Sequence, residues 1–383
     1  MSAGASSAGG SAEALRRQDL VLIAGGGTGG HTSPGLAVAA LLSARGVGCA
    51  WIGSRSGIEA SRAPAAGIAY HAIPTGKLRR AVAWQNVVDL LVNVPAGMVA
   101  AFRALGRLRP RIVFATGGYV AVPVMLAAAA RSIPIVLHEQ TLVPGLANRL
   151  GAPLARRVGV TFAESARHFP AQKVVVTGNP LRPELRGGSP ARAAERFGLD
   201  ATAPLVYVTG GAQGAQRVNR AVGEALAALT ELAQVIHQCG DKTGDRAWLE
   251  TRRAALPPSL VRRYTIVPYV KDELADVYAA AALVVSRAGA GTVNECCQLG
   301  LAALYVPLPG TRGDEQMANA RLVERAGGAA VLPQAELTPA RLVAEVKALL
   351  TDPRRLKEMG ERARRLAVPD AAERLVALLT ETP

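Results

Sequence analysis

Gly25-Gly26-Gly27-Thr28-Gly29-Gly30-His31 follows the apolar run 20–24 and precedes a stretch with a helical pattern. This order predicts a strand that runs through a glycine loop into the N-terminus of a helix. Because glycine has no Cβ, backbone N–H groups can approach a phosphate closely, and the helix dipole favours negative charge there. The sequence therefore predicts an anion-binding loop with the imidazole of His31 at its edge, where it could transfer a proton.

The same loop also matches the G-x-G-x-x-G spacing of dinucleotide-binding proteins at Gly25, Gly27 and Gly30. That motif predicts an acidic residue about 20 positions later, which would bind the ribose hydroxyls. The next strand-like run, 49–54, ends without one, although Arg55 could bind a 2′-phosphate. An NADP-binding site therefore stays open as an alternative on this motif alone.

Composition limits the classes of partner. The chain has 383 residues, half of them apolar, which suggests about two globular domains. With 44 Lys and Arg against 29 Asp and Glu, the net charge of +15 predicts an acidic partner such as a nucleic acid, an anionic membrane or a phosphorylated substrate. Aromatic residues make up only 4% and no base-stacking motif is present, so we expect no nucleic-acid partner.

The cysteines and the N-terminal segment bear on the compartment. Cys49, Cys239, Cys296 and Cys297 show no paired spacing, which favours reduced thiols in a cytosolic protein. Residues 1–18 are rich in Ser, Ala and Gly and lack the apolar core of a signal peptide, so they are predicted to form a flexible tail.

Strand and helix patterns alternate along the rest of the chain, which predicts an α/β fold with parallel sheets. Predicted strands lie at 50–52, 112–115, 135–138 and 174–177 in the first half, and at 205–209, 234–237, 264–267, 283–286 and 303–306 in the second. We expect two Rossmann-like, doubly wound domains, 19–182 and 183–367, whose loops face each other across a cleft. A final amphipathic helix in 368–383 is expected to return to the first domain.

A second candidate phosphate site lies at 286–295, where small residues again separate a strand from a helix. Its amides could hold a diphosphate while Glu295, expected in the first helical turn, accepts two ribose hydroxyls. In the alternative interpretation, Thr292 and Glu295 form a capping box. Farther on, Gln316 and Asn319 share a helical face and could bind sugar hydroxyls, or simply form a polar surface.

Taken together, these motifs resemble one family, the UDP-N-acetylglucosamine transferases of peptidoglycan synthesis, or MurG family, which have the GT-B fold. The resemblance covers nearly all of the chain after residue 18. The matching segments occur in the family's order: 26–31 (GGTGGH), 117–120 (GGYV), 138–140 (HEQ), 144–148 (PGLAN), 177–180 (TGNP), 210–215 (GGAQGA) and 287–295 (RAGAGTVNE).

The resemblance implies transfer of GlcNAc from UDP-GlcNAc to the C4 hydroxyl of MurNAc in lipid I, which gives lipid II and UDP. It places the acceptor on the N-terminal domain and the donor on the C-terminal one, at the cytoplasmic face of the membrane. Another GT-B lipid glycosyltransferase or a UDP-GlcNAc epimerase is the alternative. The implied substrate-binding residues are Thr28, Gly29, Gly30, Thr141, Arg182, Gly211, Ala212, Val270, Arg287, Ala290, Gly291, Thr292, Val293, Asn294, Glu295, Gln316 and Asn319.

Three positions depart from the family pattern. Thr141 stands where Asn is common, Ala212 where Ser is usual, and Glu315 where His or Gln is more familiar. Thr141 loses an amide and Ala212 loses a side-chain donor, which puts individual substrate contacts in doubt more than the activity.

Inverting transfer requires a base for the acceptor hydroxyl and stabilisation of the departing diphosphate. We expect His31 to be the base, with Glu139 either competing for that role or orienting His31. Because the chain has no Asp-x-Asp motif, the departing charge is assigned to Arg287 and to the helix N-terminus near Thr292, and neither a metal nor a cofactor is expected.

A basic and apolar segment lies between the predicted strands at 50–52 and 112–115. It consists of Ile73, Lys77, Leu78, Arg79, Arg80 and Trp84, and such a mixture is typical of a surface that contacts anionic lipid. An ordinary loop with a packed Trp is the alternative.

Overall fold

The strands of this chain form two parallel sheets, each in its own compact unit. The computed structural model describes residues 19–76, 92–241 and 243–382. One unit holds the described residues up to Pro180 and from Pro369 onward, and the other runs from Leu181 to Val368. The predicted tail 1–18 lies outside the described residues, as do Lys77, Leu78, Arg79, Arg80 and Trp84.

The first unit contains a seven-stranded sheet in the order β3-β2-β1-β4-β5-β6-β7. Its strands are β1 (Leu20–Gly25), β2 (Gly48–Ser54), β3 (Ala69–Ile73), β4 (Ile112–Gly117), β5 (Ile135–Glu139), β6 (Arg157–Val160) and β7 (Val174–Val176). The helices described in this unit are α1 (Gly29–Ala44), α2 (Glu59–Ala65), α3 (Val94–Leu108), α4 (Ala121–Ala130), α5 (Leu146–Gly151) and α16 (Ala371–Glu381).

The central position of β1 follows from its apolar sequence, since a parallel strand at the centre of a sheet is covered on both faces. Leu22 and Ala24 belong to one buried cluster, and Val21 and Ile23 to the other. The second cluster includes apolar side chains of α16, which therefore packs in this unit although the chain reaches it last.

The second unit contains a six-stranded sheet in the order β10-β9-β8-β11-β12-β13. Its strands are β8 (Leu205–Thr209), β9 (Gln234–Gln238), β10 (Tyr264–Val267), β11 (Ala281–Ser286), β12 (Ala303–Tyr305) and β13 (Ala329–Val331). Its helices are α6 (Pro190–Phe197), α7 (Gln216–Glu224), α8 (Leu226–Leu232), α9 (Arg246–Ala254), α10 (Pro258–Val261), α11 (Leu274–Ala280), α12 (Ala290–Leu299), α13 (Glu315–Arg325), α14 (Pro339–Leu350) and α15 (Pro353–Arg364).

Each sheet has one point where the strand order reverses, between β1 and β4 in the first unit and between β8 and β11 in the second. Ligands of open α/β sheets bind beyond the carboxyl ends of the strands at such points. The glycine loops after β1 and β8 and the motifs after β4 and β11 lie there, so each unit has its candidate site at its own switch point.

Two observations bear on membrane contact. Ile73 ends β3 and is only 2% exposed, so the expectation that its side chain meets lipid is wrong. Among the described residues, no helix combines the length and the apolar character that crossing a bilayer requires.

Candidate functional site

The first glycine loop rests on a buried carboxylate that the sequence interpretation missed. Glu59 Oε2 accepts a hydrogen bond from the Gly27 amide at 2.8 Å, and Oε1 accepts from the amide and hydroxyl of Ser54 at 3.0 and 2.6 Å. Glu59 is fully buried at the start of α2. A Cβ at Gly26, whose φ is +155°, would overlap this carboxylate. The Gly27 amide is therefore engaged within the protein, which leaves the first amides of α1 as the candidate phosphate donors.

We predict that Glu59→Gln destabilises the first unit by about 2 to 4 kcal/mol, because an amide would place a donor against either Gly27 or Ser54. Urea unfolding followed by tryptophan fluorescence measures this effect. Trp51 is a probe at the site, since its indole donates to the Gly25 carbonyl at 3.0 Å.

The matched control is Glu164→Gln, the same change at an exposed carboxylate of the first unit. We expect this control to leave the urea concentration at the midpoint of unfolding close to that of wild type. Equal unfolding midpoints for Glu59→Gln and the control would contradict the structural role assigned to Glu59.

His31 lies in the first turn of α1, with its Nδ1 2.9 Å from the Thr28 hydroxyl. A Cβ at Gly117 would come within 3.1 Å of His31 Cδ2, so the ring edge lies against the end of β4. Burial lowers the pKa of His31 to about 4, against an opposing effect of the Glu59 charge. The imidazole is therefore neutral near pH 7, which is the form that can accept a proton.

Glu139, at the end of β5, is 2% exposed, and both of its carboxylate oxygens receive hydrogen bonds. The Thr141 amide and hydroxyl lie 2.9 and 2.8 Å from Oε1, while the Gly145 amide and the Asn148 side chain lie 3.3 and 2.8 Å from Oε2. Burial raises the pKa of Glu139, and these donors oppose that shift. The carboxylate thus holds the loop between β5 and α5, and Thr141 acts as a partner within that loop.

His138 is buried beside Glu139 and ties β5 to the turn that follows β7. Its Nε2 lies 2.9 Å from the Gly178 carbonyl oxygen, and its Nδ1 lies 3.1 Å from Gln140 Nε2. Burial lowers the pKa of His138 to about 4. This imidazole is therefore neutral near pH 7, and its contact with Gly178 joins the end of β5 to the turn after β7, two strands away in the sheet.

In the second unit, the loop after β11 leads directly into α12, which begins at Ala290 with Gly289 as its N-cap residue. The early amides of this helix, including those of Gly291 and Thr292, have no partner within the helix, so this end favours an anion. Val293 is fully buried, so its side chain does not line the site. Asn294 is 5% exposed, and its side-chain amide donates to the Ala290 carbonyl at 3.2 Å. The side chains of Val293 and Asn294 are therefore not placed for the substrate contacts that the resemblance implies.

The capping-box alternative for Glu295 is wrong, because its carboxylate is bound by two other side chains. Arg182 donates to Oε1 through Nε at 3.0 Å and through Nη2 at 2.9 Å, and the Tyr278 hydroxyl donates to Oε2 at 2.9 Å. Glu295 is the sixth residue of α12, beyond the first turn in which the sequence interpretation placed it. The tertiary contacts thus place a carboxylate beside the helix end that favours an anion.

Arg287 is placed differently from the expectation that it faces a diphosphate. Its guanidinium is nearly buried and donates to the carbonyls of Val306 and Pro307 at 2.9 and 3.3 Å and to Gln334 Oε1 at 2.6 Å. Burial lowers its pKa to about 10, so it remains charged at neutral pH. Arg287 therefore anchors the loop after β12.

Gln316 and Asn319 also hold loops rather than forming an open polar face. Gln316 Oε1 accepts from the Leu308 amide at 3.0 Å, and Asn319 is 1% exposed and donates to the Ala288 carbonyl at 3.2 Å. The plain polar surface considered for this pair is therefore wrong for Asn319. Gln316 is partly exposed.

Gln238, at the end of β9, is a second residue that the sequence interpretation missed. Its Oε1 accepts from the Val270 amide at 2.9 Å and from the Tyr207 hydroxyl at 3.2 Å, and its Nε2 donates to the Gly211 carbonyl at 3.1 Å. The family resemblance implies that the Val270 backbone pairs with uracil, and in this structure the Val270 amide is already bound by Gln238. Ala212, next to Gly211, is exposed at the tip of the second glycine loop.

Comparison with known proteins identifies the family. The glycosyltransferase family 28 N-terminal domain matches residues 21–160, and the family 28 C-terminal domain matches residues 205–375. A relative from a Nocardioides species, named UDP-N-acetylglucosamine–N-acetylmuramyl-(pentapeptide) pyrophosphoryl-undecaprenol N-acetylglucosamine transferase, is 42% identical over 372 residues, which is 94% of this chain and 97% of the relative. The chain belongs to this transferase family.

The solved structures agree with the GT-B fold expected for the MurG family. The crystal structure of Acinetobacter baumannii MurG aligns with a TM-score of 0.72 and 30% identity, covering 94% of this chain and 98% of that one. A UDP-GlcNAc 2-epimerase from Neisseria meningitidis bound to UDP-GlcNAc aligns with a TM-score of 0.67 at 14% identity over 94% of this chain and 100% of that one, which shows the shared fold alone. The predicted fold class and the predicted MurG-family resemblance are confirmed.

Proposed function

We propose that this protein transfers GlcNAc from UDP-GlcNAc to the C4 hydroxyl of MurNAc in undecaprenyl-diphospho-MurNAc-pentapeptide, with inversion at the anomeric carbon and release of UDP. The observation that carries the proposal is 42% identity, over nearly the full length of both chains, to a transferase named for this donor and acceptor. The two switch-point sites support it, since each unit offers a helix N-terminus beside a carboxylate, fully buried in the case of Glu59 and partly buried in the case of Glu295.

We assign the donor to the second unit. The early amides of α12 bind the diphosphate, Glu295 accepts from a ribose hydroxyl, and the Gly211–Ala212 loop lies next to the phosphates. Gln316 binds the GlcNAc, and Val270 binds uracil through its carbonyl or through its amide after Gln238 releases it. Because Arg287 is committed to the β12 loop, stabilisation of the departing diphosphate falls mainly on the helix amides.

We assign the acceptor to the first unit, with the lipid diphosphate at Thr28, Gly29 and Gly30. His31 removes the proton from the C4 hydroxyl as the C4 oxygen attacks the anomeric carbon and the bond to UDP breaks. Glu139 keeps the 139–148 loop in place rather than acting as the base, because four donors already approach its two oxygens.

Incubation with UDP-GlcNAc labelled in the sugar tests this function. We expect the label to move to the lipid acceptor in equimolar amount with released UDP, and only when acceptor is present. Conversion of UDP-GlcNAc to a second UDP-sugar without acceptor would instead support an epimerase, and transfer to diacylglycerol but not to the MurNAc lipid would support another lipid glycosyltransferase.

We also propose that the protein acts at the cytoplasmic face of the membrane and that α3 contacts lipid. Met98, Val99 and Phe102 are exposed apolar side chains on this helix. The Arg131 guanidinium lies 3.8 Å from the centroid of the Phe102 ring, and Arg103 on the same helix is also exposed. Apolar side chains flanked by cations match an anionic lipid surface.

We predict that the double variant Met98→Ser/Phe102→Ser lowers binding to anionic vesicles about tenfold, because less apolar area enters the interface. Vesicle sedimentation measures the bound fraction. Val175→Ser, at an exposed apolar residue of β7, is the matched control and should bind like wild type. Unchanged vesicle binding of the double variant would contradict the assignment of lipid contact to α3. The same assay on a variant with Lys77, Arg79 and Arg80 neutralised tests lipid contact by the segment predicted from sequence.

A further inference from the structure

The Glu295 carboxylate is held by two side chains from different parts of the second unit. Arg182 occupies Oε1 with two donors, and Tyr278, on α11, approaches Oε2 from the other side at 2.9 Å. A carboxylate oxygen has about two lone pairs, so Oε1 is saturated while Oε2 keeps one acceptor position. The lone pair of Oε2 that Tyr278 does not use is the one left for a ligand hydroxyl.

Tyr278 is rigidly placed for this contact. It is 3% exposed, and its ring packs edge-on against Tyr207 with centroids 5.6 Å apart and planes at 83°. Burial, together with the charge of Glu295, raises its pKa well above the usual value, so the hydroxyl keeps its proton and remains a donor. Side-chain packing that fixes a donor also fixes the direction of the acceptor it binds.

We propose that Tyr278 is a positioning residue for nucleoside recognition: its hydroxyl orients Glu295 so that Oε2 accepts a ribose hydroxyl, and the protein thereby distinguishes ribonucleotides from nucleotides that lack these hydroxyls. This inference rests on the proposed function, which places the donor's ribose at Glu295. It adds a residue outside the glycine loops and outside the 287–295 motif, on a helix that precedes β11.

Calorimetric titration of wild type and Tyr278→Phe with UDP and with 2′,3′-dideoxy-UDP tests the proposal. Both ligands carry the same base and diphosphate, so only the ribose contact differs between them. We expect Tyr278→Phe to weaken UDP binding about tenfold, the effect of one hydrogen bond to a charged group, and to change the dideoxy ligand's Kd less than twofold.

Tyr264→Phe is the matched control, because Tyr264 is also buried but its hydroxyl contacts His237 at 2.7 Å. It should leave the preference for UDP over the dideoxy ligand unchanged. Thermal melting of each variant with and without UDP reports whether the unit is folded.

Two outcomes overturn the inference. If Tyr278→Phe retains the wild-type preference for UDP, whether or not it weakens both ligands by a common factor, Tyr278 has only a structural role. If wild type itself shows no preference, the assignment of ribose to Glu295 fails as well, which separates failure of the donor site from failure of Tyr278.

Discussion

His31→Ala is expected to lower turnover by about two decades or more while the Kd for UDP-GlcNAc stays within twofold of wild type. His31 lies in the first unit, whereas the residues assigned to the donor lie in the second. Losing the base removes an interaction needed in the transition state without removing a donor contact. A radiolabel transfer assay and a UDP-GlcNAc titration measure the two quantities, and near-normal turnover would reject the role of His31.

The pH dependence of the reaction has a definite sign. Only neutral imidazole accepts the hydroxyl proton, so kcat/KM should fall as pH drops through about 4, the value to which burial lowers the pKa of His31. Between there and neutral pH, we expect no loss from this group. An acidic limb centred near 6.5, the ordinary histidine value, would contradict the lowered pKa of His31.

Thr28 offers a sharper test, because the tautomer of His31 depends on it. For Nε2 to accept a proton, Nδ1 must carry the hydrogen and donate it to the Thr28 hydroxyl, 2.9 Å away. Thr28→Val removes that acceptor with little change in shape and should lower kcat about tenfold, whereas Thr28→Ser should retain most of the activity. Equal rates for the two variants would exclude tautomer control by Thr28.

Glu295→Ala is the second change with a large expected effect, a rise of about 100-fold in the Kd for UDP-GlcNAc. The substitution removes the proposed ribose acceptor and leaves the partly buried charge of Arg182 without its ion-pair partner. Calorimetric titration measures the affinity directly.

The matched control is Glu358→Ala, which breaks an exposed ion pair with Arg362 on α15. Such surface pairs contribute at most about 1 kcal/mol, so UDP-GlcNAc affinity should not change. A Kd for Glu295→Ala that equals the control's would remove Glu295 from the donor site.

Local pattern was a good guide to the strands that are long or run into a glycine loop. The predicted runs 112–115, 135–138 and 205–209 lie within β4, β5 and β8. Strands β3, β6 and β13 were not predicted. Their residues show no local period that separates them from loop, and their strand character depends on pairing with a neighbouring strand.

The candidate site divides in the same way. Its loops could be located from sequence because glycine and other small residues at the end of a strand allow the backbone to approach a ligand or another loop closely. That requirement shows in a few consecutive residues. The partners of its buried side chains could not be found. The Thr292-x-x-Glu295 spacing left a capping box open as the alternative interpretation, yet Glu295 is bound by Arg182, 113 positions away, and by Tyr278.

The sequence by itself determined the β-α alternation, the two glycine loops, the position of His31 beside the first loop and the place of Glu295 on the helix after β11, because hydrophobic period and turn chemistry act over a few residues. Only the tertiary structure decided that Glu59 supports the first loop from 32 positions away, that Arg287 anchors a loop, and that Arg182 and Tyr278 hold Glu295. The physical reason is that a buried polar group must find a hydrogen-bond partner, and packing, rather than distance along the chain, determines which groups come within reach.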